Sequence, residues 1–196
     1  MGSKADPLAL FQSWFDDAVR AGEPEPDAMV LATSTKKGAP SARVVLLKGI
    51  QDGAFTFYTN YDSRKGKELA DNSRVALVFW WQRLSRQLRV EGVAKKLSAA
   101  QSDAYWNSRP RGSQIGGAIS RQSRPIENVE VLRKAAPDFG QGTGRAPIAR
   151  PKMWGGFGVV PSKIEFWTRG SDRIHERREF SRTSAKALWK LRILSP

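Results

Sequence analysis

Residues 43–65, with the sequence RVVLLKGIQDGAFTFYTNYDSRK, decide the fold of this chain. Two runs rich in β-branched and aromatic residues, 43–48 and 55–60, stand on either side of an Asp-Gly pair at 52–53. Strand-forming runs that flank an Asp-Gly pair are the usual sign of a β-hairpin, because a tight hairpin turn needs residues that accept a positive φ. The stretch therefore predicts a hairpin, and we expect the rest of the chain to be organised around it.

The same stretch carries several cations close to one predicted sheet edge. Arg43 opens the first run and Lys48 closes it, while Ser63 is suited to cap a helix whose first turn holds Arg64 and Lys65. Free N–H groups at a helix start, a hydroxyl and nearby cations together make a favourable seat for phosphate. The alternative, a solvated hairpin with scattered surface lysines, stays open from these residues alone.

Length and composition limit the class of protein. The 196 residues suffice for one buried core, so we expect a single domain over 6–196 after a tag remnant or disordered segment at 1–5. The chain has no cysteine and one histidine, His175, which excludes disulfide scaffolds, cysteine nucleophiles and thiolate or multi-histidine metal sites. The lack of cysteine fits a cytoplasmic protein, and no apolar run approaches the roughly 20 residues of a membrane span.

The formal net charge of +14 is the most unusual feature of the composition. A surface this basic is suited to nucleic acid, anionic lipid or phosphorylated metabolites. The cations are spread along the chain, and no zinc finger, basic zipper or RNP-type aromatic signature is present. A nucleic-acid-binding module is therefore a background alternative.

The first half of the chain predicts one helix followed by five strands. Asp6 and Pro7 are suited to start the helix, which extends to about residue 21 on apolar residues spaced three and four apart. The predicted strands cover 28–34, 43–48, 55–60, 74–81 and 87–96. The fourth of them is apolar on both faces and is expected in the centre of the sheet. Strands joined in this order by short turns predict a meander or Greek-key barrel.

The second half predicts helices and then strands again. A capping-box pair, Ser98 with Gln101, opens a helix that ends before Pro110. Further helical segments are predicted over 111–120 and 128–136, a loop over 137–151, and strands over 156–160, 163–169, 173–181 and 187–194. The whole predicts an α+β domain, mostly β, in which flanking helices accompany one barrel.

Three polar side chains are spaced four residues apart, starting in the helix that is predicted to end before Pro110. Tyr105, Arg109 and Ser113 share one stripe if the helical direction continues between them. A phenol, a guanidinium and a hydroxyl on one stripe form a second candidate phosphate site, although a solvated helix face is the simpler interpretation of the spacing. Gln122 and Ser123 form a polar patch that is either a site or a plain loop.

The stretch that ends in the last predicted strands carries the most specific pattern. In a regular strand Arg173, His175 and Arg177 share one face, and three basic groups side by side repel one another unless an anion or an electron-rich ring lies there. Trp167, at the end of the preceding strand, is placed to wall a flat ligand. Gln87, in another strand, either hydrogen-bonds a heterocycle or faces solvent. This face is predicted to be a binding surface.

Together these motifs resemble the pyridoxine (pyridoxamine) 5′-phosphate oxidase family. The resemblance runs in order from about residue 6 to the end of the chain and rests on Arg43-Val-Val-Leu-Leu-Lys48, Tyr58-Thr59-Asn60, Ser63-Arg64-Lys65, Arg86-Gln87, Ser108-Arg109-Pro110-Arg111, Ser113-Gln114-Ile115-Gly116, Ser120 with Gln122-Ser123, Trp154-Gly155-Gly156-Phe157, Glu165-Phe166-Trp167 and Arg173-Ile174-His175-Glu176-Arg177. It implies an FMN-binding split β-barrel, a homodimer with sites at the subunit interface, and oxidation of pyridoxamine or pyridoxine phosphate to pyridoxal phosphate, with dioxygen giving hydrogen peroxide.

The resemblance also implies a role for individual residues. Those expected to line FMN are Arg43, Val44, Val45, Leu46, Leu47, Lys48, Tyr58, Thr59, Arg64, Lys65, Gln87, Gln122, Ser123, Trp167 and Arg177. Those expected to hold the substrate phosphate are Lys48, Tyr105, Arg109 and Ser113. Arg173 and His175 are expected to face the pyridine ring of the substrate and to take part in catalysis. Arg43 and Lys48 differ in strand parity, so a bulge, the twist or separate ligand groups must reconcile them.

A second enzyme function fits the same scaffold. A split-barrel flavin oxidase acting on another substrate, such as a phenazine precursor, would keep the FMN residues. It would have no use for the set Lys48, Tyr105, Arg109 and Ser113, because only a phosphorylated substrate needs these groups together. The intact set therefore favours the vitamin B6 phosphates.

Overall fold

The structure, a computed structural model, describes residues 6–196, so the expectation for residues 1–5 lies outside the described part. Its helices are α1 (Pro7–Arg20), α2 (Arg64–Asp71), α3 (Ala99–Ser108), α4 (Arg111–Ile119) and α5 (Glu130–Thr143). Its strands are β1 (Ala28–Ser34), β2 (Pro40–Leu46), β3 (Ile50–Gln51), β4 (Ala54–Asn60), β5 (Arg74–Trp81), β6 (Arg86–Lys96), β7 (Trp154–Thr168), β8 (Glu176–Ser181) and β9 (Lys190–Ile193). The mostly-β α+β class is confirmed.

The nine strands of the described residues form one antiparallel sheet in the order β2-β1-β5-β6-β7-β4-β3. The long strand β7 also pairs with β8, which pairs in turn with β9. Because β5 lies between β1 and β6, its predicted central position is confirmed. None of the helices in residues 6–196 combines the length and the apolar character needed to cross a bilayer.

An aromatic core joins α1 to the inner face of the sheet. Asp6 caps α1 by accepting a hydrogen bond from the Leu8 N–H, and Pro7 takes the first helical position, as predicted. Phe11 of this helix packs edge-on against Phe55, with ring centroids 4.9 Å apart. Phe11 is 1% exposed and Phe55 is fully buried. Burial of aromatic rings of this size accounts for much of the stability of a small sheet protein.

The predicted hairpin between 43–48 and 55–60 is wrong in its pairing. The Asp52-Gly53 turn exists, with φ of 50° and 74°, but it joins β4 to the short strand β3. β2 pairs instead with β1, in a register that sets Val45 opposite the buried Met29. Gly49, with a φ of 102°, turns the chain between the first run and the hairpin. A turn signal defines the local reversal, whereas the partner of a long strand is selected by burial of its neighbour's face.

Helix α5 continues to Thr143, so the prediction of a loop over 137–151 is wrong for residues 137–143. Pro137 lies inside the helix, where its ring removes one backbone hydrogen bond. The helix continues because Phe139 packs against a small apolar cluster built on Trp106 and Trp154, which stabilises about two further turns of helix. Tertiary packing therefore overrides the helix-breaking tendency of the proline and glycine residues in this segment.

The C-terminal strands differ from the prediction in two places. The predicted strands 156–160 and 163–169 are one continuous strand, β7, with a register shift where Gly92 of β6 faces Pro161. The predicted strand 173–181 begins only at Glu176, because Asp172 and Arg173 have φ of 52° and 62° in a short turn. Arg173 is therefore not in a strand, and the prediction that it shares a strand face with His175 and Arg177 is wrong.

The outer face of the sheet keeps apolar side chains exposed. β5 alternates between buried residues such as Phe79 and exposed ones such as Trp80, which is 44% exposed, although both faces are apolar. Val30 and Val44, register partners on β1 and β2, are 37% and 62% exposed. Exposed apolar side chains that share one sheet face are typical of a surface that binds a partner or a ligand.

Candidate active site

A cavity of about 580 Å³, here called the cradle, lies between β2, β4 and the helices α2, α3 and α4. The sequence-predicted residues that line it are Arg43, Val44, Val45, Leu46, Lys48, Tyr58, Thr59, Lys65, Tyr105, Arg109 and Gln122. They come from both predicted phosphate sites, which the fold merges into one depression. The parity difference between Arg43 and Lys48 disappears because β2 ends at Leu46, so the two residues do not belong to one regular strand.

At one end of the cradle two cations, Lys65 and Arg43, lie close together. Lys65 is 8% exposed, and its Nζ donates to the Thr59 hydroxyl and the Gln122 amide oxygen, both at 3.3 Å. Burial lowers the pKa of Lys65, the neighbouring charge of Arg43 lowers it further, and Glu68 opposes both. An anion placed here would relieve this repulsion, because it would face two cations whose own partners are mostly neutral oxygens.

At the other end an arginine lies over a stack of aromatic rings. Tyr58 and Tyr105 stack with ring centroids 3.9 Å apart, and Trp154 lies parallel to both. The Arg109 guanidinium lies 4.7 Å from the centroid of the Trp154 ring. Burial raises the pKa of Tyr58; a hydrogen bond with Gln51 opposes this effect, and the neighbouring Tyr105 and Tyr61 add smaller increases. A flat aromatic wall beside a fixed planar cation suits a ligand with a ring and an anionic group.

Arg109 carries a direct sign that a ligand group belongs here. Its Nη1 is buried without a hydrogen-bond partner within residues 6–196. Burial lowers the pKa of Arg109, and only Tyr105 acts in the opposite direction. A Cβ on Gly117 would stand 3.0 Å from Nη1, so the glycine allows α4 to approach the guanidinium closely. Because an unpaired buried N–H of a charged group is costly, the cradle fits a phosphate oxygen at this point.

Lys48 contributes a fourth cation to the cradle, after Arg43, Lys65 and Arg109. Its Nζ forms a 2.9 Å ion pair with Asp27, and both side chains are partly exposed. The neighbouring Leu47, which was predicted to line FMN, is instead 6% exposed and belongs to the hydrophobic core. The chain turns after β2 and directs the Leu47 side chain inward, so a contact between Leu47 and FMN would be made by its backbone.

Three further predicted residues do not line the cradle. Arg64 is exposed and pairs with Glu68 at 2.9 Å, one turn further along α2. Ser113 and Ser123 are exposed. The predicted stripe is wrong as geometry, because α3 ends at Ser108, Arg109 is extended and α4 begins in a new direction at Arg111. Two members of the stripe, Tyr105 and Arg109, nevertheless line the cradle.

The remaining predicted residues form a second group, here called the outer patch, which comprises Gln87, Trp167, Arg173, His175 and Arg177. Gln87 and Arg177 are the register partners of Trp167 on either side of β7. The His175 ring lies 4.6 Å from the Trp167 ring. Arg173 is exposed in its turn. Four of the five residues, Gln87, Trp167, His175 and Arg177, are thus neighbours on one surface.

Hydrogen bonds fix the orientation of two side chains in the outer patch. Arg177 donates from Nε to the buried Glu165 at 2.7 Å, and this hydrogen bond raises the pKa of Arg177. The backbone N–H of Gly170 donates to Nδ1 of His175 at 3.3 Å. An Nδ1 that accepts leaves the proton of neutral imidazole on Nε2. His175 therefore presents a hydrogen-bond donor at its outer nitrogen.

The cradle and the outer patch are separate groups of residues within one chain. Trp154, which lines the cradle, and Trp167 lie near opposite ends of the 15-residue strand β7. None of the five outer-patch residues lines the cradle.

Five residues of the cradle had no predicted role. They are Asn60, Gly116, Gly117, Ser120 and Trp154. Four of them belong to the motifs that carry the family resemblance, so a signal for them existed, and Gly117 adjoins one of those motifs. The pair Gly116-Gly117 also has a physical meaning, since adjacent glycines in a helix allow close approach of other groups.

Comparison with known proteins agrees with this geometry. Residues 15–140 match a family model described as pyridoxamine 5′-phosphate oxidase, and residues 154–196 match one described as the pyridoxine 5′-phosphate oxidase C-terminal dimerisation region. A relative from Rubrobacter xylanophilus, named pyridoxine/pyridoxamine 5′-phosphate oxidase, is 49% identical over 181 residues, which cover 92% of this chain and 83% of that protein.

Solved structures give the same result for the fold. PhzG from Burkholderia lata 383, determined in complex with tetrahydrophenazine-1-carboxylic acid, aligns with a TM-score of 0.90 at 31% identity, covering 97% of this chain and 93% of that one. A pyridoxamine 5′-phosphate oxidase-related, FMN binding protein from Nostoc punctiforme aligns with a TM-score of 0.76 at 14% identity, covering 95% and 97%. The predicted split β-barrel is thereby confirmed, and this chain belongs to the pyridoxamine 5′-phosphate oxidase family.

Proposed function

We propose that this chain is an FMN-dependent oxidase that converts pyridoxamine 5′-phosphate or pyridoxine 5′-phosphate to pyridoxal 5′-phosphate. The observation that carries the proposal is the cradle, in which the unpaired Nη1 of Arg109 and the buried Lys65 lie in one depression beside parallel aromatic rings. Two groups of cations in one cavity suit two phosphates, one from the cofactor and one from the substrate. The 49% identity to a relative of that name supports the same reaction.

The residues present fit FMN. Arg43 and Lys65 would hold its phosphate, with Thr59 and Gln122 as neutral partners, while the backbone of Val44–Leu46 would run along its ring system. When bound, FMN accepts the two electrons of the oxidation and passes them to dioxygen, which gives hydrogen peroxide. With the amine substrate, water supplies the aldehyde oxygen and ammonia is released, so that atoms and electrons balance.

The substrate phosphate would bind at the opposite end of the cradle. Arg109 offers a buried N–H without a partner, Lys48 adds charge, and the Tyr105 hydroxyl adds a donor. Ser113 keeps its proposed role only if α4 shifts when substrate binds, because its side chain is exposed and outside the cradle. A fixed arginine and a rigid aromatic wall would set the position of the carbon that is oxidised.

Arg173 and His175 would orient and polarise the ring of the substrate. His175 would donate from Nε2, because its Nδ1 already accepts the Gly170 N–H. A group with its outer nitrogen protonated is a poor base, so the substrate proton would leave to water. Trp167 would wall the ring system, and Arg177, fixed by Glu165, would lie near the edge of the flavin that becomes anionic on reduction.

A homodimer would bring the two halves of the site together. The match to a C-terminal dimerisation region over residues 154–196 supports self-association, and these residues include most of the outer patch. In a two-fold dimer each chain would supply its outer patch to the cradle of its partner, giving two sites at the interface. Residues 6–196 would act as one domain in this assembly. The cysteine-free composition supports a cytoplasmic location.

Oxidation of a phenazine precursor is the second candidate. The alignment with PhzG from Burkholderia lata 383, at a TM-score of 0.90, favours it as a matter of scaffold. The identity is 31%, against 49% for the relative named pyridoxine/pyridoxamine 5′-phosphate oxidase. The unpaired Arg109 nitrogen is compatible with either substrate, because arginine pairs with carboxylates as well as with phosphates.

Purified protein distinguishes these functions. We expect a yellow protein whose flavin bleaches when it is mixed anaerobically with pyridoxamine 5′-phosphate. In air, hydrogen peroxide should form with that substrate but not with unphosphorylated pyridoxamine. Turnover of dihydrophenazine carboxylates without turnover of the B6 phosphates would favour the second candidate. A colourless protein that cannot be reconstituted with FMN would contradict both oxidase functions and would favour the alternative of a basic nucleic-acid-binding module.

A further inference from the structure

Glu68 is a buried carboxylate of the described chain for which the proposed reaction has no role. It lies on α2, is 5% exposed and does not line the cradle. Buried glutamates are rare unless they are paired, because removing an ionised carboxylate from water is costly. The position of Glu68 directly behind Arg43 and Lys65 raises the question of what it holds in place.

The carboxylate of Glu68 collects four donors from three elements of the fold. Its Oε2 accepts from the Thr33 hydroxyl at 2.5 Å, the Ser41 hydroxyl at 2.6 Å and Nη2 of Arg43 at 3.2 Å. Its Oε1 accepts from Nε of Arg64 at 2.9 Å. β1, β2 and α2 are therefore joined through one side chain.

The two hydroxyls extend this network to both ends of the Arg43 guanidinium. While each hydroxyl donates to Glu68, Thr33 accepts from Nη1 of Arg43 and Ser41 accepts from Nη2, each at 2.5 Å. Nη1 also donates to the Leu31 carbonyl at 3.2 Å. Both terminal nitrogens of Arg43 are thus held from behind, and its plane is fixed before any ligand arrives.

Electrostatics gives Glu68 a second effect on the same end of the cradle. Arg43 and Lys65 are close enough for the charge of Arg43 to lower the pKa of Lys65, and Glu68 opposes that effect. Burial alone would raise the pKa of Glu68, but the hydrogen bonds from Ser41, Thr33, Arg64 and Arg43 outweigh it and lower the pKa to about 2. The carboxylate is ionised at any working pH and offsets the repulsion between the two cations.

We propose that Glu68 is a positioning residue for the phosphate of FMN: it holds Arg43, through Thr33 and Ser41, in the orientation that the phosphate requires, and does not contact the phosphate itself. The inference rests on the proposed function, because it takes the ligand at this end of the cradle to be the cofactor phosphate. It makes a distinctive demand, since a positioning residue behind a phosphate site affects ligands with a phosphate and spares those without one.

The test compares FMN with riboflavin, which has the same ring system but no phosphate. Binding of each to the apoprotein is followed by quenching of flavin fluorescence, a readout that does not depend on turnover. We expect Glu68→Gln to weaken FMN binding about tenfold, the scale found for residues that orient ligand-binding groups, and riboflavin binding by less than about twofold. The preference for FMN over riboflavin should therefore fall about tenfold.

Glu165→Gln is the matched contrast. Glu165 is also buried and also bridges two arginines, Arg89 and Arg177, but the arginine that it fixes near the proposed site is Arg177 of the outer patch. It should weaken FMN and riboflavin by the same factor, because Arg177 is assigned to the ring system. Glu130→Gln, which removes an exposed ion pair with Arg133 on α5, should change neither affinity.

Two outcomes overturn the inference while leaving the proposed function intact. Equal weakening of FMN and riboflavin by Glu68→Gln would assign the residue to general stability, and tighter FMN binding would mean that its charge only repels the phosphate. If Glu68→Gln does not fold, Thr33→Val and Ser41→Ala each remove one hydroxyl of the network, and each should lower the FMN preference by a smaller factor. A wild-type protein that binds neither flavin would instead contradict the proposed function.

Discussion

The cradle and the outer patch carry parts of one proposed site, yet a single chain orders them to very different degrees. In the cradle Lys65 is buried, Arg43 is held by both terminal nitrogens and Arg109 is stacked on Trp154. In the outer patch Arg173 is exposed, and Ile174 beside it is 72% exposed. The cradle is thus an ordered half-site, and the outer patch is an exposed half-site on an apolar sheet face. A site shared between two copies of the chain would use one half-site from each copy.

The difference suggests a division of labour. The cradle would bind phosphates, whose negative charge offsets the repulsion between its cations. Its side chains are already fixed in the single chain, before any dimer forms. The outer patch would bring the groups that act on the rings, and it would gain its order from contact with the second copy. Mutations in the two regions should therefore fail in different ways.

The largest effect is expected from Arg173→Ala in the outer patch. Loss of a cation that polarises the substrate ring should lower kcat about 100-fold or more, while FMN affinity changes by less than about twofold. Arg173 has no hydrogen-bond partner for its side chain in the described residues, so thermal stability should not change. The control is Arg169→Ala, an exposed neighbour. Loss of flavin with normal turnover of the remaining holoenzyme would show that Arg173 belongs with the cofactor.

The corresponding change in the cradle is Arg109→Ala. Because Arg109 offers its buried N–H to the substrate phosphate, we expect KM for pyridoxamine 5′-phosphate to rise about 100-fold with a smaller fall in kcat. Arg145→Ala, an exposed arginine in the segment after α5, is the control. Steady-state kinetics with hydrogen peroxide detection measures both. A lowered kcat at unchanged KM would place Arg109 on the reacting end of the substrate.

A third prediction concerns the surface that would join the two halves. Ile193, on the edge strand β9, is 69% exposed in the single chain, so Ile193→Asp should leave the folded monomer intact. It should weaken the dimer and, through the lost outer patch of the partner, lower FMN affinity by about tenfold or more. Sedimentation and flavin fluorescence measure the two effects. The control is Val129→Asp at the start of α5, where the side chain is also exposed, and it should change neither the dimer nor FMN affinity. A monomer that keeps full FMN affinity would show that the partner's outer patch does not contribute to FMN binding.

A fourth prediction concerns stability at acid pH and not activity. Glu68 has a pKa lowered from 4.5 to about 2 in the folded chain, so its ionised form stabilises the fold above pH 4.5 and that contribution is lost as the pH falls towards 2. The shift corresponds to at most about 3 kcal/mol. In urea unfolding, wild type should therefore lose up to that amount relative to Glu68→Gln between about pH 6 and pH 2. Parallel pH profiles would show that the Glu68 network contributes nothing to folding.

The sequence was sufficient for the fold class, the cap of α1 and the membership of most of the cradle. These features depend on local patterns or on motifs that keep their spacing, such as Asp6-Pro7 and the run from Arg43 to Lys48. It was insufficient where distant parts of the chain decide. The partner of β2 is selected by the buried face of β1, and α5 continues past Pro137 because Phe139 finds a cluster to pack against.

The role of charged residues was the least visible in the sequence. Glu68 lies four residues after Arg64, a spacing that is typical of a solvated helix pair, and only the fold shows that it is buried behind Arg43. The left-handed φ of Arg173 likewise gives no signal in the residue type. Burial and backbone strain at a site arise from tertiary structure, so the positions of Glu68 and Arg173 become visible only in the folded chain.

Complementation between two inactive variants tests most directly whether each site is built from two copies. Arg109→Ala damages the cradle and Arg173→Ala damages the outer patch, so chains of the two kinds, unfolded and refolded together with FMN, form mixed dimers in which one site has both halves intact. We expect an equal mixture to recover about one quarter of the wild-type activity, far above the sum of the two variants. Recovery of no more than that sum, with mixed dimers present, would show that both halves of the site come from the same chain.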